Sequence, residues 1–278
     1  MKQVNIWGRV FNLILFVILI TISICIIFPL IWMIISGFKS NTDFFMRPWS
    51  LPEEWIWENF VIAWENGVAR YFLNSVLVTG VSVFLVLIIS SLASYSLSRF
   101  DYKGKNILFI FIISGLMLAP QVSLIALFKM LQTLHLIDTY WALILPYVAF
   151  QIPFAVFLMR SYFLALPREI EDAAYIDGCN SWSVFWRIIL PMSKPIVLTA
   201  GLLTGMFFWN EFMFALAFIE SSELRTIPVG LMNLRSQLGT NYGVLLAGLF
   251  IATIPMILLF IIFQKHFINA LSDGGVKG

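Results

Sequence analysis

The sequence predicts an all-α, polytopic membrane protein with six transmembrane helices and a polar helical loop between the fourth and fifth. Three observations carry that prediction. Hydrophobic residues make up 60% of the 278 residues and charged residues only 12%, about half the charged share of an ordinary soluble domain. Mean hydropathy is +0.92. The charges are also segregated. No charge falls between Arg9 and Lys39, Arg70 and Arg99, Lys105 and Lys129, Asp138 and Arg160, or Arg235 and Lys265, and only Glu211 falls between Lys194 and Glu220. Each interval holds the ~20 residues with which a helix crosses ~30 Å of hydrocarbon. The short alternating segments of a membrane β-barrel are absent from the sequence.

Taken in order, the expected spans are 10–38, 71–98, 106–128, 139–160, 195–219 and 243–264, within one transmembrane domain covering 1–278. The first apolar stretch exceeds the ~7–15 residues of a signal-peptide core, and no small-x-small site follows, so a retained helix is expected. Pro29, Pro120, Pro146, Pro153 and Pro255 lie inside apolar segments, where neighbouring groups in a bundle can satisfy the freed backbone. The segment between the first two spans, residues 39–69, is the longest piece expected on the outer side, and it carries Trp49, Trp55, Trp57 and Trp64 among Glu53, Glu54, Glu58 and Glu65. Two readings stay open for it: a helix lying at the membrane interface, where tryptophan concentrates, or a surface for an extracellular partner or a sugar.

Sidedness follows from Lys and Arg. With the N-terminus inside, Lys2, Arg9, Arg99, Lys103, Lys105, Arg160, Arg168, Arg187, Lys194, Lys265 and Lys277 lie on the inner side. These are eleven of the 17 basic residues, and the excess predicts a multi-pass protein with both termini in the cytoplasm. The net charge of +2 comes with no basic run, so no nucleic-acid partner is expected.

The inner loop 166–191 is the most polar part of the chain. Pro167 suits a first helical turn, and Glu169, Glu171 and Asp172 favour its positive end. Ile170, Ala173, Ala174 and Asp177 follow at helical spacing, a mostly small face that another surface can approach closely. Gly178 is placed to end the helix, and Asn180 or Ser181 to cap a second one. That second helix carries Trp182, Phe185, Trp186 and Ile189 and ends at Leu190-Pro191. The pattern predicts a helix–turn–helix elbow, either resting on the bilayer or docking a partner.

Chemistry is sparse elsewhere. Cys25 and Cys179 lie too far apart in the topology to bridge, and neither His135 nor His266 has a thiol or carboxylate cluster near it, so no metal site is expected. The GxxxxGK[ST], HExxH and GxSxG patterns are absent, and no catalytic residue is assigned. Glu211 is the single charge in the interior of a span, Arg160 standing at the end of its own, and lies ~24 Å along a helix counted from Pro195. Intramembrane carboxylates mark function by default. Trp209, Asn210 and Glu211 are therefore candidates for a pathway or gate lining, with interhelical packing as the alternative.

The spacing Asp172-Ala173-Ala174, Gly178, Ile188, Leu190-Pro191 resembles the EAA motif of ABC importer permeases. Asp172 stands where that family usually has Glu, and Cys179 where Ala is common. Leu145-Pro146-Tyr147, Pro153-Phe154, Phe157-Leu158-Met159-Arg160, Ser94-Tyr95, Arg99-Phe100, Gly104 and Trp209-Asn210-Glu211-Phe212 resemble stretches of the carbohydrate, or MalG-like, branch. So does the tail Gly274 to Gly278. The resemblance implies that Arg168, Glu169, Asp172, Ala173, Ala174, Asp177, Gly178, Ile188, Leu190 and Pro191 form the coupling loop that enters a cleft of an ATPase subunit. It also implies that Gly275, Val276, Lys277 and Gly278 touch that ATPase. The implied assembly has a second homologous permease, two ABC ATPase subunits holding ATP and Mg, and an extracellular solute-binding protein, in a bacterial cytoplasmic membrane. No cofactor is expected on this chain. An amino-acid or peptide cargo stays open beside a sugar, as does an ATP-independent secondary transporter.

Overall fold

The computed structural model describes the backbone of residues 6–237 and 241–275, and the side chains of residues 11–232 and 241–264. These residues form α1 (Ile6–Gly37), α2 (Asn41–Met46), α3 (Glu58–Ala63), α4 (Ala69–Arg99), α5 (Lys105–Ser114), α6 (Pro120–Thr133), α7 (Trp141–Ala165), α8 (Glu169–Ile176), α9 (Ser181–Val184), α10 (Leu190–Met192), α11 (Lys194–Trp209), α12 (Met213–Phe218), α13 (Ile227–Gln237) and α14 (Tyr242–Gly275). No strand occurs among the described residues, and the fold is all-α.

Four stretches are long and apolar enough to cross a membrane: Phe11–Gly37, Glu58–Arg99, Trp141–Ala165 and Tyr242–Gln264. Two bent pairs raise the number to as many as six. One pair joins Lys105–Met117 to Pro120–Thr133 at 99°, inside the expected span 106–128. The cause is Pro120. It takes the first turn of α6, and Ala119 before it sits extended at φ −71° and ψ 125°, the conformation that a following proline imposes. The expected span 195–219 is also interrupted: α11 stops at Trp209 and α12 starts at Met213.

The chain divides into two compact units, Met1–Val68 with Leu231–Thr253, and Ala69–Gly230 with Ile254–Gly278. In the first, the segment after α1 folds back on itself instead of lying as one interfacial helix. Lys39 is wholly buried, and its Nζ donates to the carbonyls of Arg47 (2.7 Å) and Pro48 (3.3 Å). Asn59 Nδ2 donates to the carbonyls of Gly37 and Lys39 at 2.9 and 3.0 Å. Arg47 pairs with Asp43 and Glu53. Trp32 donates to Pro48 O at 2.7 Å and packs on Trp49, while Phe38 contacts Trp55 and Trp57. The outward faces of Trp49, Trp55 and Trp57 stay exposed.

Gly243 closes this fold at the start of α14. A Cβ there falls 2.3 Å from Lys39 O and 2.6 Å from Asn59 Nδ2. Because one contact is backbone, the overlap cannot relax by a side-chain rotation. Gly243→Ala is expected to cost about 3 kcal/mol, the upper part of the overpacking range. Gly80→Ala serves as control, since nothing lies within 4 Å of a Cβ there. Thermal unfolding of the purified transporter checks it, and equal melting temperatures for the two variants contradict it.

The second unit contains two hydrophobic clusters. α4 lies against α7 and α11. Ser75, Ser82, Ser90, Ser91, Ser94 and Ser98 are buried along α4, with Ser94 donating to Val156 O of α7 at 3.2 Å and Ser75 accepting from Ile227 N at 2.8 Å. Small residues let helices approach closely where lipid gives no hydrophobic drive between them. Val78, Val86, Leu143, Tyr147, Phe208, Phe214 and Phe218 fill one cluster. Tyr95, Met159, Phe163, Val184, Phe185, Ile189 and Ile196 fill another beneath the polar elbow. Gly115 approaches Pro153 so closely that a Cβ would lie 2.8 Å from its ring, which seats α5 on α7.

Candidate functional site

The elbow 166–193 is built as its residues dictate. Glu169, Glu171 and Asp172 occupy the first turn of α8, where the helix dipole favours negative charge. The helix ends in a Schellman closure: Gly178 N donates to Tyr175 O and Cys179 N to Ala174 O, each at 3.0 Å. Gly178 carries the closure at φ +83°, a region that costs a side chain energy. Asn180, rather than Ser181, caps α9, its Oδ1 accepting from Ser183 N at 2.8 Å. A π-turn at Phe185–Ile189 then leads through α10 to Ser193, so the second helix runs just past the expected end at Pro191.

Two sides of α8 differ. Arg168, Glu169, Asp172, Ala173, Asp177 and Gly178 are exposed, as are Ile170, Tyr175 and Ile176, the last at 87%. Ala174, grouped with Ala173 in the sequence, turns inward instead and packs with Phe185 and Ile189. Ile188 and Leu190 pack against the same cluster, and Pro191 is exposed. Trp182 is largely exposed, while Phe185 beside it is buried.

Glu171 turns inward with Ala174. Its carboxylate meets Arg99 at the end of α4, Oε1 to Nε 2.5 Å, and both side chains are about one-twentieth exposed, 6% and 5%. Arg99 Nη2 also donates to Leu166 O at 3.2 Å. Burial pushes the Glu171 carboxyl above its usual range, and the guanidinium of Arg99, then Arg168, works against that shift. Tyr95 donates to Ser181 O at 3.4 Å and its ring meets Phe185. One end of α4 is therefore tied to both helices of the elbow. Among three carboxylates in one turn, only the helix phase set by Ala174 marks which one faces in, and the sequence reading did not single out Glu171 for this.

The interruption between α11 and α12 contains Asn210, Glu211 and Phe212. Asn210 is exposed, its Nδ2 donating to Met206 O at 2.8 Å. Glu211 caps α12: Oε1 accepts from Phe214 N at 2.8 Å, and Oε2 from Ala215 N at 3.2 Å. Oε2 also accepts from the Tyr147 hydroxyl at 2.6 Å, and that ring stacks on Phe208. Trp209 is buried with its edge on Phe72. The carboxylate is thus engaged with protein donors, while Asn210 and Phe212 face outward from a non-helical joint. Gly275 is the last described residue of α14, and Val276, Lys277 and Gly278 lie outside the described residues. Among the described residues, no group of three or more His, Cys, Asp and Glu is arranged to hold a metal.

Comparison with known proteins matches this architecture to one family. The profile described as "Binding-protein-dependent transport system inner membrane component" matches residues 61–273. The chain is 53% identical to a probable ABC transporter permease protein, YurM, of Bacillus subtilis, over 92% of this chain and 85% of that one. It is 38% identical to the arabinooligosaccharides transport system permease protein AraQ of Halalkalibacterium halodurans, over 92% and 93%. In fold it is similar to a solved bacterial ABC transporter involved in import of the acidic polysaccharide alginate. That match has a TM-score of 0.84 and 21% identity, over 96% of this chain and 100% of the other.

Proposed function

This chain belongs to the family of binding-protein-dependent transport system inner membrane components, and we propose that it is the sugar-translocating permease of an ABC importer driven through the elbow 166–193. The observation that carries this is the exposed face of α8. It presents apolar Ile170, Tyr175 and Ile176 between Glu169, Asp172 and Asp177, on a short helix fixed to α4 by a buried ion pair. A short packed helix of that kind transmits a rigid-body displacement.

In this reading the elbow enters a cleft of an ATPase subunit on the cytoplasmic side, consistent with eleven of 17 basic residues falling there. Two such ATPases bind ATP and Mg, a second homologous permease completes the pathway, and an extracellular binding protein delivers cargo. The tail from Gly275 to Gly278 reaches the ATPase interface. A sugar cargo is favoured by the arabinooligosaccharide permease among the relatives. Of Trp209, Asn210 and Glu211, the proposed route lining, Trp209 is buried and Asn210 faces outward from the interrupted span, and interrupted spans form the substrate sites of many transporters.

The test uses Gly178→Asp and Ala173→Trp. Nothing lies within 4 Å of a Cβ at Gly178, and Ala173 is exposed. Neither change collides with the chain itself, and the positive φ costs only about 1–2 kcal/mol. Both variants are expected to insert normally, fail to retain the ATPase on purification, and lose uptake. Normal ATPase recovery with normal uptake would sink the coupling role.

A further inference from the structure

The elbow is not the only feature at this end of α4. Beside it lies an open cavity of about 650 Å³, bounded by Asp101, Lys103, Gly104, Lys105, Ile107 and Arg160. Three cations line it against one carboxylate. That carboxylate, Asp101, is 84% exposed and already takes Lys105 at 3.2 Å. Arg160 is the less ordinary member. Its half-buried guanidinium sits 4.0 Å over the Phe109 ring and donates from Nε to Leu97 O at 3.3 Å. It has no carboxylate partner among the described residues. A long cationic side chain near the end of a membrane helix reaches the interface, where it can meet an anion.

Two further observations indicate which anion would suit these cations. α5 begins at the cavity with no side-chain cap and no acidic residue in its first turn, leaving its positive end toward the same space. Directly beyond, the helix turns apolar and outward: Ile107 is 75% exposed, Ile110 66% and Phe111 74%. A phosphate in the cavity would have that apolar face running away from it, along the direction of acyl chains. A guanidinium fork and two ammonium groups are the donors that recognise phosphate.

We infer that the cavity between the start of α5 and Arg160 binds a phosphate-bearing anion, the headgroup of an anionic phospholipid. Basic pockets between membrane helices take such headgroups, each nearby cation contributing about fivefold in binding. The inference stands apart from the transport reading, because its measurement reads lipid and not uptake.

The complete transporter is reconstituted in nanodiscs of mixed phosphatidylglycerol and phosphatidylcholine, and lipid retained after detergent release is counted by native mass spectrometry. The expected result is retention of phosphatidylglycerol over phosphatidylcholine. Lys103→Ala and Arg160→Gln should each weaken it about fivefold. Lys103 is exposed, so its variant reports on binding even if Arg160→Gln disturbs folding. Equal retention of the two lipids overturns the inference, as does undiminished retention in Lys103→Ala. Displacement of the retained lipid by excess inorganic phosphate assigns the cavity to a soluble anion and overturns the lipid.

Discussion

Arg99→Ala is expected to destabilise the transporter by about 3–5 kcal/mol, the cost of leaving one member of a buried ion pair without the other. Glu171 is 6% exposed on its side chain, so water cannot take the place of the guanidinium. The carboxylate then lowers its energy by taking a proton, and the pH dependence follows with a definite sign. Burial already raises the Glu171 carboxyl, so the folded chain binds this proton more tightly than the unfolded one. The stabilisation is full below the ordinary carboxylate range and is lost as pH rises through the raised value. Removing Arg99 takes away the main opposing influence and extends that window upward. The melting deficit of Arg99→Ala should shrink as the medium is acidified, and a deficit independent of pH would contradict the burial account. Replacing both residues by apolar ones of similar volume should restore most of the melting temperature. Uptake in that double variant then asks whether the link must be ionic to transmit force.

The second large effect is expected at Glu211. Glu211→Ala removes one side chain and leaves three donors unpartnered: the amides of Phe214 and Ala215 and the hydroxyl of Tyr147. At about 1–3 kcal/mol for each buried orphan, the loss reaches several kcal/mol. Glu211→Gln keeps one carbonyl acceptor and turns an NH2 toward the remaining donors, so a smaller loss is expected, about 1–3 kcal/mol. The pair of variants separates two roles. A pathway role predicts that Glu211→Gln folds, assembles and yet transports poorly. Normal uptake and normal stimulated ATPase in that variant would leave the carboxylate as a helix cap alone.

What the sequence made legible was governed by strong, local terms. Charge-free intervals located the apolar stretches, since solvation of charge outweighs most alternatives in a membrane. Gly178 ends α8 because its backbone enters a region that other residues avoid, and Asn180 caps α9 by its own short side chain. Less legible were features decided by packing between distant segments. By its place in an apolar interval Pro120 reads as a proline tolerated inside a span, yet its ring and the extended Ala119 end one helix and begin another. Ala174 was assigned to the open face with Ala173, but the helix phase that buries it depends on Phe185 and Ile189. Glu171 looked like one of three equivalent first-turn carboxylates until Arg99, more than seventy positions away, distinguished it. The segment after α1 was read as an interfacial helix or a docking surface; its shape rests on Lys39, a residue whose burial no local pattern announces.

The π-turn at Phe185–Ile189 has a consequence for length. A π-turn accommodates one residue more than an α-turn, without breaking the helix around it. Deleting one residue there would restore plain α-helical winding and leave Leu190, Pro191 and the start of α11 in their present phase. A further inserted residue, with no second such turn to absorb it, would instead rotate everything beyond it by about 100°. Leu190 would then leave the cluster that holds Phe185 and Ile189, and Pro191 would swing away from its present face. Substitutions in this stretch adjust a contact and one deletion at Phe185–Ile189 is absorbed, whereas an added residue re-aims the elbow.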